Sequence, residues 1–126
     1  MSRLAIGLLA LALTLAAACQ LPGSQPACNM MIEWVNFIQV GSTQYVAGPG
    51  AETVLQGSEL GPVYREVKFK VSGNICDPAY RPKDGDAAFL DPGTPIYKVT
   101  GHPPSEQVAA RYNGRIFLYR ATGPAP

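Results

Sequence analysis

Apolar and polar positions alternate along residues 63–71. Val63, Val67, Phe69 and Val71, joined by Arg65, fall on one side, and Tyr64, Glu66, Lys68 and Lys70 on the other. Successive side chains of an extended chain point to opposite faces, so this run predicts a strand with one face on a core and one in water. Residues 30–40 (MMIEWVNFIQV) alternate less cleanly: Ile32, Trp34, Ile38 and Val40 share one face, Met31, Val35 and Phe37 the other. Apolar residues on both faces predict a central strand. Gly41-Ser42 fits a two-residue type II′ turn that pairs Ile38 with Tyr45 and Phe37 with Val46.

Two shorter strands are expected at 87–90 and 95–100, joined by Asp91-Pro92-Gly93, where proline fixes φ and glycine accepts a positive one. Asn113-Gly114 is the strongest local signal, a type I′ hairpin that sets Val108 opposite Tyr119, Ala110 opposite Phe117 and Tyr112 opposite Arg115. That face is apolar and points inward. The other face, with Gln107, Ala109, Arg111, Ile116, Leu118 and Arg120, is half-buried. The pattern as a whole predicts an all-β, single-domain barrel or sandwich of about seven short antiparallel strands, the usual way to hide sheet edges.

The N-terminus follows different rules. Arg3 precedes residues 4–18, which carry no charge. A membrane span needs about 20 apolar residues, and Pro22 and Gly23 soon end any helix, so 1–18 reads as a secretory signal peptide. Ala16 and Ala18 suit a signal peptidase, with cleavage after Ala18. Leu15-Ala-Ala-Ala-Cys19 resembles a bacterial lipobox, with Ala16 where the commoner motif has Leu. That resemblance implies a diacylglycerol on the Cys19 sulfur and a palmitate-type acyl chain on its freed amine. Ordinary secretion with an unlipidated Cys19 is the competing reading. Residues 19–28 then hold the lipid-attachment cysteine and a Pro/Gly/Ser tether; the eight residues 20–27 span at most about 28 Å when extended. By the same resemblance, Gln20 rather than Asp favours an outer membrane over the inner one where the cell has both. The folded domain is expected at 29–122, with a short tail at 123–126.

Composition narrows the function classes. Without residues 1–18 the chain of 126 leaves 108, enough for one modest core. The whole chain has ten Lys/Arg and nine Asp/Glu; losing Arg3 brings the formal charge of the mature part to zero. That leaves no basic footprint for nucleic acid. With Cys19 lipidated, Cys28 and Cys76 are left in an oxidising compartment, where such a pair forms a disulfide. These two cysteines and the lone His102 lack the paired spacing of a zinc site, and no cofactor is implied.

Other constellations have ordinary readings beside functional ones. Asp77, Asp84, Asp86 and Asp91 crowd a Gly/Pro-rich stretch; turn formation is the plainer role, a calcium surface site the rarer one. His102, in Gly-His-Pro-Pro, reads as an exposed loop. Trp34, Tyr80, Tyr97 and Tyr112, with Tyr64 and Tyr119, are candidate residues of a partly exposed aromatic binding surface, although aromatics at alternating positions more commonly serve as core and cross-strand pairs.

From Cys76 onward, Cys76-Asp77-Pro78, DGDAAFL at 84–90, GTPIYKVTG at 93–101 and Gly114-Arg115 through Leu118-Tyr119 resemble a family of small, uncharacterised bacterial lipoproteins and exported proteins. The resemblance covers about half of the mature chain. It departs at His102, where the family pattern has an aromatic residue, and at Pro103-Pro104. It implies a compact extracytoplasmic domain and transfers no catalytic residue. The expected function is therefore a lipid-anchored, non-enzymatic interaction module, held to a membrane by its lipid and facing a protein, peptide or glycan. A small secreted hydrolase using carboxylates such as Asp84 and Asp86 is the alternative.

Overall fold

A computed structural model describes residue 28, residues 31–48 and residues 53–123. The predicted signal peptide, Cys19 and its tether, and residues 124–126 lie outside the described residues. Among the described residues, nine strands form one sheet that curls into a half-barrel: β1 Phe37–Val40, β2 Thr43–Ala47, β3 Val54–Leu55, β4 Leu60–Glu66, β5 Phe69–Lys70, β6 Asp86–Ala87, β7 Pro95–Val99, β8 Gln107–Tyr112 and β9 Arg115–Ala121. The spatial order is β4-β7-β8-β9-β2-β1-β6-β5, with β3 added against β9.

Both predicted hairpins form in the predicted register. Gly41, at φ +58°, turns β1 into β2 with Ile38 opposite Tyr45 and Phe37 opposite Val46. Asn113 and Gly114, at φ +50° and +75°, turn β8 into β9 with Val108 opposite Tyr119 and Ala110 opposite Phe117. Adjacent positive φ values define the type I′ turn, which matches the right-handed twist of the strands it joins.

The main core lies inside the curl. Ile38, Val40, Tyr45, Val67, Leu90, Ile96, Val108, Phe117 and Tyr119 meet there. The two large phenols in it are satisfied at their tips: the Tyr45 hydroxyl donates to the Pro104 carbonyl at 2.6 Å and the Tyr119 hydroxyl to Asn36 Oδ1 at 3.0 Å. Burial pushes the Tyr45 phenol above its ordinary range, with nearby Tyr64 adding to the rise and Arg65 opposing it. Two smaller clusters cover the outer face. One sets Val99, Ala109, Ile116 and Leu118 beneath Leu55 and Leu60; the other sets Phe37, Val71 and Ala88 beneath Trp34, Ile75, Tyr80 and Phe89. The outward face of the second hairpin is thus half-covered, as its mixed composition implies.

Other expectations need correction. Residues 30–40 are not one long strand: the ladder begins at Phe37, and residues 31–36 run beside the sheet, where the Asn36 carbonyl accepts from the Ala47 N–H at 3.0 Å. A strand needs partners, and β2 ends at Ala47 while β6 is only two residues long. The predicted strand at 63–71 is two strands. Its alternation holds for Val67 and Val71, which are buried, but Val63 is 58% exposed, Phe69 37% exposed and Arg65 exposed, while Tyr64 packs against the core. The register of β4 on β7 shifts between Leu60 and Val63 and again between Val63 and Arg65. Each shift changes which face the following side chains meet.

Val67 and Lys68 are where this segment changes partners. Val67 donates to Thr94 and accepts from Gly93, at 2.9 and 2.8 Å, whereas Lys68 donates to Gly85 at 2.8 Å. One stretch of chain therefore supplies both ends of the sheet order. The all-antiparallel expectation also fails once, since β5 pairs with β6 in parallel. A parallel pair requires a long crossover, and residues 71–85 provide it. The predicted strand at 87–90 shrinks to Asp86–Ala87, with the turn after it intact: the Thr94 N–H donates to the Asp91 carbonyl at 3.1 Å, and Gly93 has φ +90°.

Candidate functional site

Cys28 and Cys76 are bridged, with Cα atoms 5.2 Å apart. The bridge joins the segment that precedes β1 to the 71–85 crossover. On the crossover side, Asn74 and Ile75 both donate to the Val71 carbonyl at 3.0 Å, a tight turn in which Gly73 has φ +82°. The turn folds Ile75 back onto Val71 and brings Cys76 to the end of residues 31–36.

Trp34 is the centre of this region. It forms a wall of two neighbouring grooves. The first, about 280 Å³, runs between Cys28, Met31, Ile32 and Ile75; the second, about 460 Å³, lies between Val35, Val46 and Phe89. Among the described residues, no charged side chain lines either groove. Exposure alternates along the segment: Ile32 and Trp34 are half-buried, while Met31, Glu33 and Val35 face outward, Met31 at 92% and Val35 at 60% exposure. Two large apolar side chains and one carboxylate therefore project from the outer side of residues 31–35.

Of the four candidate binding aromatics, Trp34 and Tyr80 pack on the same outer cluster. Tyr112 joins it indirectly, its ring 6.4 Å from Phe89 and 6.2 Å from Phe117. Tyr97 stands apart on β7, paired with Ala109 and Val63. Sequence reasoning missed Phe89 and the exposure of Met31 and Val35. The alternation of residues 31–35 was the available signal, but reading them as a central strand covered both faces. A second aromatic site lies on β4, where the Arg65 guanidinium sits 4.4 Å and the Lys98 ammonium 6.0 Å from the centre of the Tyr64 ring.

The aspartates serve local structure. Asp77 Oδ1 accepts from the Ala79 N–H at 2.9 Å, and Asp91 pairs with Lys70 at 3.0 Å. Asp84 accepts from the Gly41 N–H at 2.7 Å and from Lys68 at 3.0 Å, tying the first hairpin to the 83–85 turn. The Gly41 N–H first, and then Lys68, hold its carboxyl below the usual aspartate range. Asp86 is only 4% exposed, and its Oδ2 accepts from both the Tyr80 hydroxyl and the Lys83 N–H at 2.7 Å. Every buried side-chain nitrogen or oxygen among the described residues has a hydrogen-bond partner. His102 is exposed in a turn, its N–H bonded to the Val99 carbonyl and its Nδ1 3.9 Å from Glu106.

The bond to Asp86, together with burial and the nearby negative charge, pushes the Tyr80 phenol up to about 12. A raised folded-state value means that the stabilising contribution is complete below the ordinary value of 10.0 and fades as pH climbs toward about 12. Tyr80→Phe should cost about 1.5–3 kcal/mol at neutral pH, the range for a hydrogen bond to a charged group. In denaturant titrations the gap between wild type and variant should stay constant up to the ordinary tyrosine range and narrow above it. A gap that persists undiminished beyond that range would rule out this assignment.

No family model, curated protein or solved structure matches this chain.

Proposed function

We propose that the protein is a lipid-anchored, extracytoplasmic interaction module without a catalytic role, attached through Cys19 and docking through the apolar face around Trp34. The observation that carries the reading is the pair of uncharged grooves sharing Trp34, beside a cysteine that lies nine positions after Cys19. The Cys28–Cys76 bridge fixes the point at which the tether meets the folded body. Any membrane attachment at Cys19 is thus directed toward one region of the surface. The resemblance to bacterial lipoproteins and exported proteins supports the same compartment.

The hydrolase alternative would use Asp84 and Asp86. Asp84 is engaged with Gly41 and Lys68, and Asp86 with Tyr80 and Lys83. These bonds give both carboxylates a structural role, which favours the non-enzymatic reading. The same employment of Asp77, Asp84, Asp86 and Asp91 supports turn formation over calcium binding. Among the described lining residues, Ser72, Asn36 and the Trp34 N–H are the polar side-chain groups, a sparse set that suits an apolar partner better than a glycan.

Expression in a bacterium tests the anchor. Wild type is expected in the detergent phase with the mass of an acylated N-terminal Cys19. Cys19→Ser is expected in the aqueous phase or as the uncut precursor. Aqueous wild-type protein, cut after Ala18 and free of lipid, would overturn the anchor.

A further inference from the structure

We infer that the Trp34 face is the membrane-apposed side of the domain, with Met31 and Val35 entering the lipid interface and the Trp34 ring lying at headgroup depth. The inference rests on the proposed anchor at Cys19 and names the partner of that same face. Eight residues separate Cys19 from Cys28. Even fully extended, nine such steps reach at most about 32 Å, so an anchored Cys19 holds the bridged end of the domain beside the bilayer. Linkage of this kind gives a weak surface contact a high effective concentration.

The chemistry of the face fits that neighbour. Val54, Val63 and Phe69 are exposed singly on β3, β4 and β5, whereas Met31 and Val35, with Glu33 between them, border the two grooves that share Trp34. Scattered apolar residues are ordinary on a protein surface; a contiguous group marks a contact. Tryptophan favours the membrane–water interface, where its apolar ring is covered while its N–H stays hydrated. The acyl chains expected on Cys19 already hold the chain at the bilayer, and a face of this kind adds an interfacial contact that orients the domain on it. Glu33 is the only charged side chain projecting from residues 31–35. Attraction to anionic lipid therefore plays no part, and contact is expected on zwitterionic membranes at any ordinary salt concentration.

Trp34 is the sole tryptophan and thus its own reporter. The acylated mature chain, reconstituted in phosphatidylcholine vesicles, should lose emission when bromines are placed on the acyl chains, as expected for a ring at the interface. Met31→Ser combined with Val35→Ser should abolish the quenching while the acylated chain stays with the vesicles. Both side chains are outward, and retention of the Cys28–Cys76 bridge by mass reports that the fold survives. Glu33→Lys should leave quenching in phosphatidylcholine intact and deepen it when phosphatidylglycerol is added.

A vesicle-bound, acylated chain with unquenched Trp34 would overturn this inference and leave the anchor standing. An unquenched Trp34 in a chain that cross-links to a second copy or to another protein through residues 31–35 would overturn it too, in favour of a protein partner. Absence of acylation would count against the anchor alone. In that case, a synthetic lipid coupled to the Cys19 thiol tests the face: quenching supports it, and no quenching overturns it.

Discussion

Cys76→Ala is expected to lower stability by about 2–5 kcal/mol, the usual loss when a small domain loses a native disulfide. The bridge closes a sequence separation of 48 residues. For a loop of that size, the chain-entropy account gives about 4 kcal/mol, near the upper part of that range. The expected structural effect is local. Residues 31–36 lie outside the strand ladder, and without the bridge they depend on the bonds of Asn36 to Ala47 and to the Tyr119 hydroxyl and on the packing of Trp34 over Phe37, Val71 and Ala88. Trp34 fluorescence in a denaturant titration reads both effects. Cys28→Ala together with Cys76→Ala should cost no more than Cys76→Ala alone, because one bridge is removed in either case. Unfolding midpoints that coincide for oxidised wild type and Cys76→Ala would show that the core alone holds the domain.

Gly85→Ala should be comparably damaging, for a reason that lies entirely in the backbone. Gly85 has φ +90°, and a Cβ added there would lie 2.5, 2.7 and 2.8 Å from Lys68 Cδ, Cγ and Cβ. The far end of a lysine can swing away, but its Cβ moves only with the main chain. That main chain is committed: Lys68 and Phe69 both donate to the Gly85 carbonyl, at 2.8 and 3.3 Å, and the Gly85 N–H donates to Gln39 at 2.8 Å. Left-handed backbone costs an alanine about 1–2 kcal/mol and overpacking about 1–3, so the total is about 2–5 kcal/mol. Gly93 is the control. It has the same φ of +90° with nothing within 4 Å of an added Cβ, and Gly93→Ala should cost only the backbone part. Equal losses for the two variants, measured by chemical denaturation, would remove Lys68 from the explanation.

The contrast between these glycines shows where sequence reading stops. Gly85 stands between Asp84 and Asp86 and Gly93 two residues after Asp91, each in a turn-forming stretch, and both look like turn glycines. Gly93 is one, closing Asp91–Thr94. Gly85 also serves as the junction at which β1 and the approach to β5 meet β6, and nothing within a few residues of it reveals the lysine against it. The candidate site divides in the same way. Trp34 and Tyr80 were identifiable as aromatics with an undecided role. The grooves beside Trp34 required Val46, Ile75 and Phe89, which reach it from separate parts of the chain. The outward direction of Met31 and Val35 depended on where the neighbouring strands end.

The all-β class, both two-residue hairpins with their register, the Asp91–Thr94 turn and the cysteine pair were legible from local residues alone. Each of these follows from local conformational preference or from a simple count. Asn-Gly and Gly-Ser favour the positive φ values their turns need, and a two-residue loop leaves only one register for the strands it joins. The tertiary structure alone decided the shifts along β4, the change of partner at Val67 and Lys68, the parallel β5–β6 pair and the uncovered side of residues 31–35. Those outcomes depend on hydrogen bonds between residues distant in sequence. A two-residue periodicity predicts which side chains share a face only while the ladder is unbroken, and along β4 the ladder is broken twice.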